Sequence, residues 1–313
     1  MTYLDDKAAP AAPATTTSHD SATPAALVQF MLKEWKAGRG TPPKPIANHG
    51  VFAARRCALS VLFPGEWIVI PTGHEKVRAN DTYYRFRPGS DFYYLTGNQE
   101  PDCVLVLQPM AAGHRDILFV EPNPGRSDPT FFTDRVKGEL WVGPRLGVPE
   151  SQLRFVVDEC RGLPELANFL VDAKPERTRV LRGMSDRVDA SLAAASGERD
   201  KALATALSEM RLLKDALEVR ELTTAIRSTG RGFEDVIRAL PEAQSEREVE
   251  GRFYLRARVE GNDVGYGTIA ASSHHACTLH WTRNDGAIKA GTLLLLDAGV
   301  EGHSLYTADI TRT

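Results

Sequence analysis

The sequence has 313 residues, of which 42% are hydrophobic and 25% charged, and its formal net charge is −3. This composition indicates an ordinary folded protein with room for two domains, and it lacks the basic stripe that a nucleic-acid partner requires. No run approaches the roughly 18 apolar residues of a membrane span, and the N-terminus is acidic where a signal peptide is basic. We therefore expect a cytoplasmic protein that acts on a small molecule or a peptide, with no nucleic-acid or membrane partner.

Residues 1–25 are rich in Ala, Pro, Thr and Ser. They contain too few large apolar side chains to fill a core, so we predict a flexible tail. The apolar spacing of "LVQFMLKEWKAG" predicts a helix directly after it.

Strand and helix patterns alternate between residues 26 and 200. Short apolar runs predict strands at "EWIVIP", "DFYYLTG", "CVLVLQP" and "DILFVEP". Helical spacing predicts helices at "VFAARRCALSVL" and "DRVDASLAAAS". The alternation predicts a mixed α/β domain.

Residues 201–313 have a different order, with helices first and strands afterwards. The apolar residues of "LEVRELTTAIRSTGRGFEDVIRAL" recur at steps of three and four, and Pro241 ends that helix. Ser245 and Glu248 have the spacing of a capping box, which predicts the start of another helix. We therefore predict a second, α+β domain.

Two aspartates lie in the last predicted strands. The run "TLLLLD" is apolar on both faces and predicts a buried strand that carries Asp297, while "LYTADIT" carries Asp309. If residues 302–304 form a hairpin loop, the two aspartates oppose each other closely enough to contact a pair of metal ions. Alternatively, Asp297 caps the "DAG" turn through its backbone, and Asp309 forms an ion pair with Arg312.

Three histidines precede these strands. The stretch "TLHWTRNDG" predicts a strand that contains His280 and Trp281, with "NDG" as a hairpin turn. A lone strand histidine more often has a structural role, so its function stays open at this point. His274 and His275 are adjacent and would point to opposite faces of a strand, so we assign them to a loop or the surface.

At these residues the sequence resembles the Xaa-Pro aminopeptidases (aminopeptidase P), which belong to the pita-bread metallopeptidases with prolidase, creatinase and methionine aminopeptidase. The resembling stretches are "DAGVEGHSLYTADITRT", "TLHWTRNDG", "RLLKDALEVREL", "SDFYYLTGNQEPDCVLVL" and "ELWVGPRLG". The resemblance implies a mixed α/β N-terminal domain followed by a pita-bread (creatinase/aminopeptidase-like) catalytic domain. It also implies hydrolysis of peptides that have proline at the second position.

The resemblance assigns roles to three residues. It implies two divalent metal ions, usually Mn²⁺, with Asp297 bound to one and Asp309 bridging both, and a catalytic role for His280 in contacting substrate and moving a proton. It further implies a homo-oligomer. The family pattern has its other ligands, a histidine and two glutamates, beyond the second aspartate. We therefore expect residues 1–313 to contain an incomplete catalytic domain and metal site, and to be inactive alone.

Two further functions remain open from the sequence. One is a prolidase-like dipeptidase, and the other is a non-catalytic relative that binds peptides or forms oligomers.

Overall fold

The structure is a computed structural model, and it describes residues 23–33, 41–80, 82–192 and 197–313. The predicted tail lies almost entirely outside the described residues, as does the second half of the helix predicted after it. Among the described residues, no helix combines the length and the apolar character that crossing a membrane requires.

The described chain contains helices and strands throughout. The α-helices are α1 (Ala25–Met31), α2 (His49–Leu62), α3 (Ser90–Thr96), α4 (Thr130–Thr133), α5 (Glu139–Val142), α6 (Val148–Phe155), α7 (Leu166–Phe169), α8 (Asp186–Ser191), α9 (Gly197–Leu212), α10 (Ala216–Ala239) and α11 (Glu246–Glu260). The strands are β1 (Trp67–Pro71), β2 (Val77–Ala79), β3 (Thr82–Tyr83), β4 (Val104–Pro109), β5 (His114–Val120), β6 (Glu159–Gly162), β7 (Thr178–Val180), β8 (Asp263–Val264), β9 (Ile269–Ser272), β10 (Leu294–Ala298), β11 (Val300–Glu301) and β12 (Ile310–Arg312).

A five-stranded sheet forms the centre of the first domain, with the strand order β6-β5-β4-β1-β7. Its three middle strands are antiparallel, and each outer strand is parallel to its neighbour. Apolar side chains cover both faces, so that Ile68, Val69 and Ile70 of β1 are completely buried. The two faces belong to separate apolar clusters. The mixed α/β organisation predicted for this region is confirmed.

Helix α9 spans the predicted domain boundary at residues 200 and 201. Its residues Leu203 and Leu207 are completely buried in the same apolar cluster as Leu59 of α2. The helix therefore packs on the first domain, and the boundary stays a prediction.

The second domain places α10 and α11 against a three-stranded antiparallel sheet with the order β12-β10-β9. Phe253 of α11 and Leu296 of β10 belong to its apolar core. Ser245 caps α11, because its hydroxyl accepts a hydrogen bond from the Glu248 amide at 3.3 Å. The second bond of the predicted capping box is missing, since the Glu248 carboxylate accepts the Gln244 amide instead of the Ser245 amide.

One predicted strand is wrong. The segment "DFYYLTG" forms α3, and its buried residues Phe92, Leu95 and Thr96 follow helical spacing. Gly97 ends the helix with a φ of 66°, a left-handed conformation in which glycine has no Cβ to clash. Aromatic residues favour a strand only where a neighbouring strand is available for pairing. Here Phe92 and Leu95 pack in an apolar cluster of the first domain, and this packing favours a helix.

Candidate active site

Asp297 and Asp309 lie on neighbouring strands but do not oppose each other. Asp297 lies on β10 and pairs with Thr311 of β12, while Asp309 directly precedes β12. Asp297 is half-buried and Asp309 is exposed. The predicted direct opposition of the two aspartates is therefore wrong.

The difference arises at the hairpin loop, which lies one residue later than the sequence predicts. The Gly302 amide donates to the Tyr306 carbonyl at 2.9 Å, so Gly302 belongs to the ladder and residues 303–305 form the loop. Leu305 adopts the left-handed conformation there, with a φ of 64°. Because the pairing shifts by two residues, both aspartates still share one face of the sheet.

A tyrosine joins the two carboxylates. The Tyr266 hydroxyl lies 2.5 Å from Asp297 Oδ1 and 2.9 Å from Asp309 Oδ1. Burial raises the pKa of Tyr266, and the hydrogen bonds to the two aspartates raise it further, so the phenol stays protonated. Sequence reasoning missed Tyr266, which lies 31 residues before Asp297 in a segment between β8 and β9.

Gly299 allows the hairpin to close beside this tyrosine. A Cβ built on Gly299 would overlap the carbonyl oxygen of Ala308 and lie 3.2 Å from the Tyr266 ring. The Gly299 carbonyl also accepts the Gly265 amide at 2.9 Å, which holds the residue before Tyr266 against the hairpin. The close approach explains the glycine of the "DAG" stretch.

The chemistry of these donors suits divalent cations, because carboxylate oxygens are the preferred ligands of hard metals such as Mn²⁺. Tyr266 binds only the Oδ1 atom of each carboxylate. Within the described residues, however, no group of three or more His, Cys, Asp or Glu side chains could hold a metal. The two aspartates thus fit one part of a metal site. The alternative ion pair of Asp309 is not formed, since Arg312 Nη1 donates to the Thr311 carbonyl.

His280 lies in an exposed turn and not in the predicted strand. The turn follows a 3₁₀ helix, Ser273–Cys277, and the Thr282 amide donates to the His280 carbonyl at 3.0 Å. Asn284 of the predicted hairpin turn is completely buried, and its side chain binds backbone atoms of Thr268 and Ala270. Asn284 is therefore a buried anchor of this loop, and the segment around His280 forms a turn instead of the predicted strand pair.

The hairpin loop that joins the two aspartates is docked on the first domain. Arg87 forms an ion pair with the buried Glu301 at 2.6 Å, and the Gln99 amide donates to the His303 carbonyl at 2.7 Å. On the other side of the loop, the Tyr306 hydroxyl donates to the buried Glu218 at 2.9 Å. The first domain and α10 of the second domain thus contact the hairpin between the candidate metal ligands from two sides.

Comparison with known families matches both halves of the chain. The family described as "Aminopeptidase P, N-terminal domain" matches residues 52–181, and "Metallopeptidase family M24" matches residues 220–313.

Two curated relatives are both named as Xaa-Pro aminopeptidases. The chain is 51% identical to "Xaa-Pro aminopeptidase 1" of Streptomyces coelicolor over 92% of this chain and 58% of that protein. It is 48% identical to "Xaa-Pro aminopeptidase 2" of the same organism, over 92% of this chain and 62% of that protein. The chain thus spans about three fifths of the length of these relatives.

The fold is similar to that of aminopeptidase P from E. coli in its low-pH form, with a TM-score of 0.74 and 28% identity. The match covers 85% of this chain and 62% of that structure. It confirms the predicted fold class, a mixed α/β N-terminal domain followed by part of a pita-bread catalytic domain.

Proposed function

The chain belongs to the aminopeptidase P family of the M24 metallopeptidases, and on this basis we propose that the full protein removes an N-terminal residue that precedes proline. The observation that carries the proposal is the convergence of Asp297 and Asp309 on the hydroxyl of Tyr266, at 2.5 and 2.9 Å. Such a pair of carboxylates on one sheet face is suited to two cations that share a ligand. The relatives named Xaa-Pro aminopeptidase support the substrate, a peptide with proline at its second position.

The proposed cofactor is a pair of divalent cations, with Mn²⁺ as the metal. Asp297 would bind one cation and Asp309 both, while a histidine and two glutamates from outside residues 1–313 would complete the site. When bound, the cations would lower the pKa of a water molecule and polarise the scissile carbonyl. Residues 1–313 alone are then expected to be inactive.

The other residues of the chain act on orientation and on protons. The Tyr266 phenol holds one oxygen of each carboxylate, so the second oxygen of each would be the one to bind a cation. His280 is exposed in its turn, where its imidazole is accessible to a substrate. We assign it the role of donating a hydrogen bond or proton to the reacting peptide.

We further propose a cytoplasmic location and a homo-oligomer. Cys57 and Cys277 are exposed free thiols, which suit a reducing compartment. Leu255 and Val259 lie one turn apart on α11 and are 60% and 67% exposed, an apolar surface that a second subunit would bury. Sedimentation of the full protein tests the oligomer.

The deciding experiment uses the full protein that contains this chain, loaded with Mn²⁺. It should cleave the first residue from tripeptides and longer peptides with proline second, and leave matched peptides with alanine second intact. Asp309→Asn should lose bound Mn²⁺ and activity together, while Asp285→Asn, an exposed aspartate paired with Arg283, should lose neither. Cleavage of Xaa-Pro dipeptides alone would identify a dipeptidase instead, and metal binding without any cleavage would rule out the peptidase.

A further inference from the structure

Glu246 is a buried carboxylate outside the candidate metal site. It is the first residue of α11, and its exposure is 0%. Its Oε1 accepts hydrogen bonds from the Ser272 amide at 2.7 Å and from His275 Nδ1 at 2.8 Å. Its Oε2 accepts from Trp281 Nε1 and from the Gly286 amide, both at 2.8 Å.

These four donors explain how a charge is tolerated there. Burial raises the pKa of Glu246, but the hydrogen bonds from Ser272, Trp281, His275 and Gly286 outweigh it and hold the pKa below the ordinary value of 4.5. The carboxylate is therefore ionised at neutral pH. A buried carboxylate with its hydrogen-bonding capacity filled is strongly fixed in place.

The donors flank His280 on both sides in the sequence. Ser272 and His275 precede it, and Trp281 and Gly286 follow it. The His275 ring also stacks on Trp281, with ring centres 4.0 Å apart and an angle of 24°. His275, predicted to be a loop or surface residue, is thus half-buried in this cluster. Both ends of the His280 turn are consequently tied to one carboxylate.

We propose that Glu246 is a positioning residue that holds the turn carrying His280 in its active geometry. The inference rests on the proposed role of His280 in the peptidase reaction. Glu246 acts through Trp281, the residue that directly follows His280. It also acts through the backbone amides of Ser272 and Gly286, at the two ends of the segment that contains His280. Because α11 packs in the core of the second domain, it gives the exposed turn a rigid support.

Glutamine is the informative replacement at this position. Each carboxylate oxygen of Glu246 accepts one backbone N–H, from Ser272 on one side and Gly286 on the other. Neither orientation of a glutamine amide can accept from both backbone N–H groups, because its NH₂ group would lie against one of them, donor against donor. Glu246→Gln should therefore release one end of the turn without changing the size of the side chain.

The test compares Glu246→Gln with Glu248→Gln in the Mn²⁺-loaded full protein. Glu248→Gln removes the same charge two residues later in the chain. The Glu248 side chain is exposed, and its hydrogen bonds are to Gln244 and Ser245 at the start of α11. Glu246→Gln should shift the His280 and Trp281 side-chain NMR signals and lower kcat by up to about a hundredfold, as a misplaced catalytic group does. KM and the bound Mn²⁺ should change little. Glu248→Gln should alter none of these quantities.

Trp281→Phe is a second variant that avoids disrupting the buried charge. It removes one donor and keeps an aromatic ring beside His275, so it should shift the His280 signals in the same direction with a smaller loss of kcat. Unchanged His280 signals in both variants would overturn the proposal, as would displaced signals with wild-type kcat in an active protein. If the wild type cleaves no Xaa-Pro peptide, the proposed function fails, and the NMR signals alone then decide whether Glu246 positions the turn.

Discussion

Asp297 lies directly opposite Thr311 in the ladder between β10 and β12. Since residues two apart on a strand share a face, Asp309 is the diagonal neighbour of Asp297 on that same face. A diagonal pair is farther apart than a direct one, and the Tyr266 hydroxyl spans the separation with bonds of 2.5 and 2.9 Å. The phenol therefore connects two like charges that would otherwise only repel each other.

Tyr266→Phe should destabilise the metal-free protein by about 1 kcal/mol, because the two carboxylates lose their shared donor. Urea unfolding measured with and without a chelator checks this value. Tyr254→Phe is the matched control, since Tyr254 is 43% exposed on α11. Equal unfolding midpoints for Tyr266→Phe and the wild type would show that the hydroxyl contributes nothing to joining the acids.

His280→Ala should lower kcat of the full protein on an Xaa-Pro peptide by roughly 10²- to 10⁴-fold, the range for a lost general acid or base. Bound Mn²⁺ should remain, because the candidate ligands in this chain are Asp297 and Asp309. Metal analysis beside the kinetics checks both expectations. His274→Ala, an exposed histidine of the same segment, serves as control. Loss of Mn²⁺ in His280→Ala would contradict the proposed division of roles.

Arg55 should be important for domain docking. It is 5% exposed, forms an ion pair with Asp215 at 2.7 Å, and lies 3.6 Å from the buried Glu218. Arg55→Met should lower the free energy of unfolding by about 3 kcal/mol, because it leaves a buried carboxylate without its cation. Arg238→Met breaks an exposed pair with Glu234 and should cost less than about 0.5 kcal/mol. Similar losses for the two variants, measured by urea unfolding, would refute a docking role.

The first domain could be predicted from the sequence because its signals are local. Strands such as β1 and β4 are continuous apolar runs, and both are buried on two sides by the surrounding helices. Capping at Ser245 is also a short-range interaction, and the Ser245 half of the predicted capping box formed. The error at α3 has a different origin, since its aromatic composition favours a strand while the spacing of its buried residues favours a helix.

The candidate site could be predicted only in part, because its geometry depends on contacts distant in sequence. Asp297 and Asp309 are recognisable in the sequence as two acids near one another. Their register depends on whether the hairpin loop begins at Gly302 or at His303, and no local sequence rule decides between these two loop positions. Tyr266 and Glu246 bind partners 26 to 43 residues away. No periodicity or motif connects residues at such distances, so the sequence offered no signal for either.

Acid stability at the end of α11 depends on Glu260. Glu260 forms ion pairs with Arg231 and Arg256, and the hydrogen bond from Arg231 is the largest of the effects that lower the pKa of Glu260 from its ordinary 4.5 to about 2. The folded state therefore binds this proton less readily than the unfolded state does. The stabilisation is fully present above pH 4.5 and is lost as the pH falls towards 2.

Glu260→Gln should accordingly be less stable than the wild type at neutral pH, and the difference should shrink as the pH falls through that window. Urea unfolding at a series of pH values measures it. Glu234→Gln is the control, because Glu234 is 60% exposed and its pair with Arg238 is screened by solvent. A difference between Glu260→Gln and the wild type that stays constant down to the lowest pH would mean that the loss comes from packing of the side chain. If the stability difference disappears at low pH, the loss in Glu260→Gln comes from the charge of Glu260, which links α11 to Arg231 of α10.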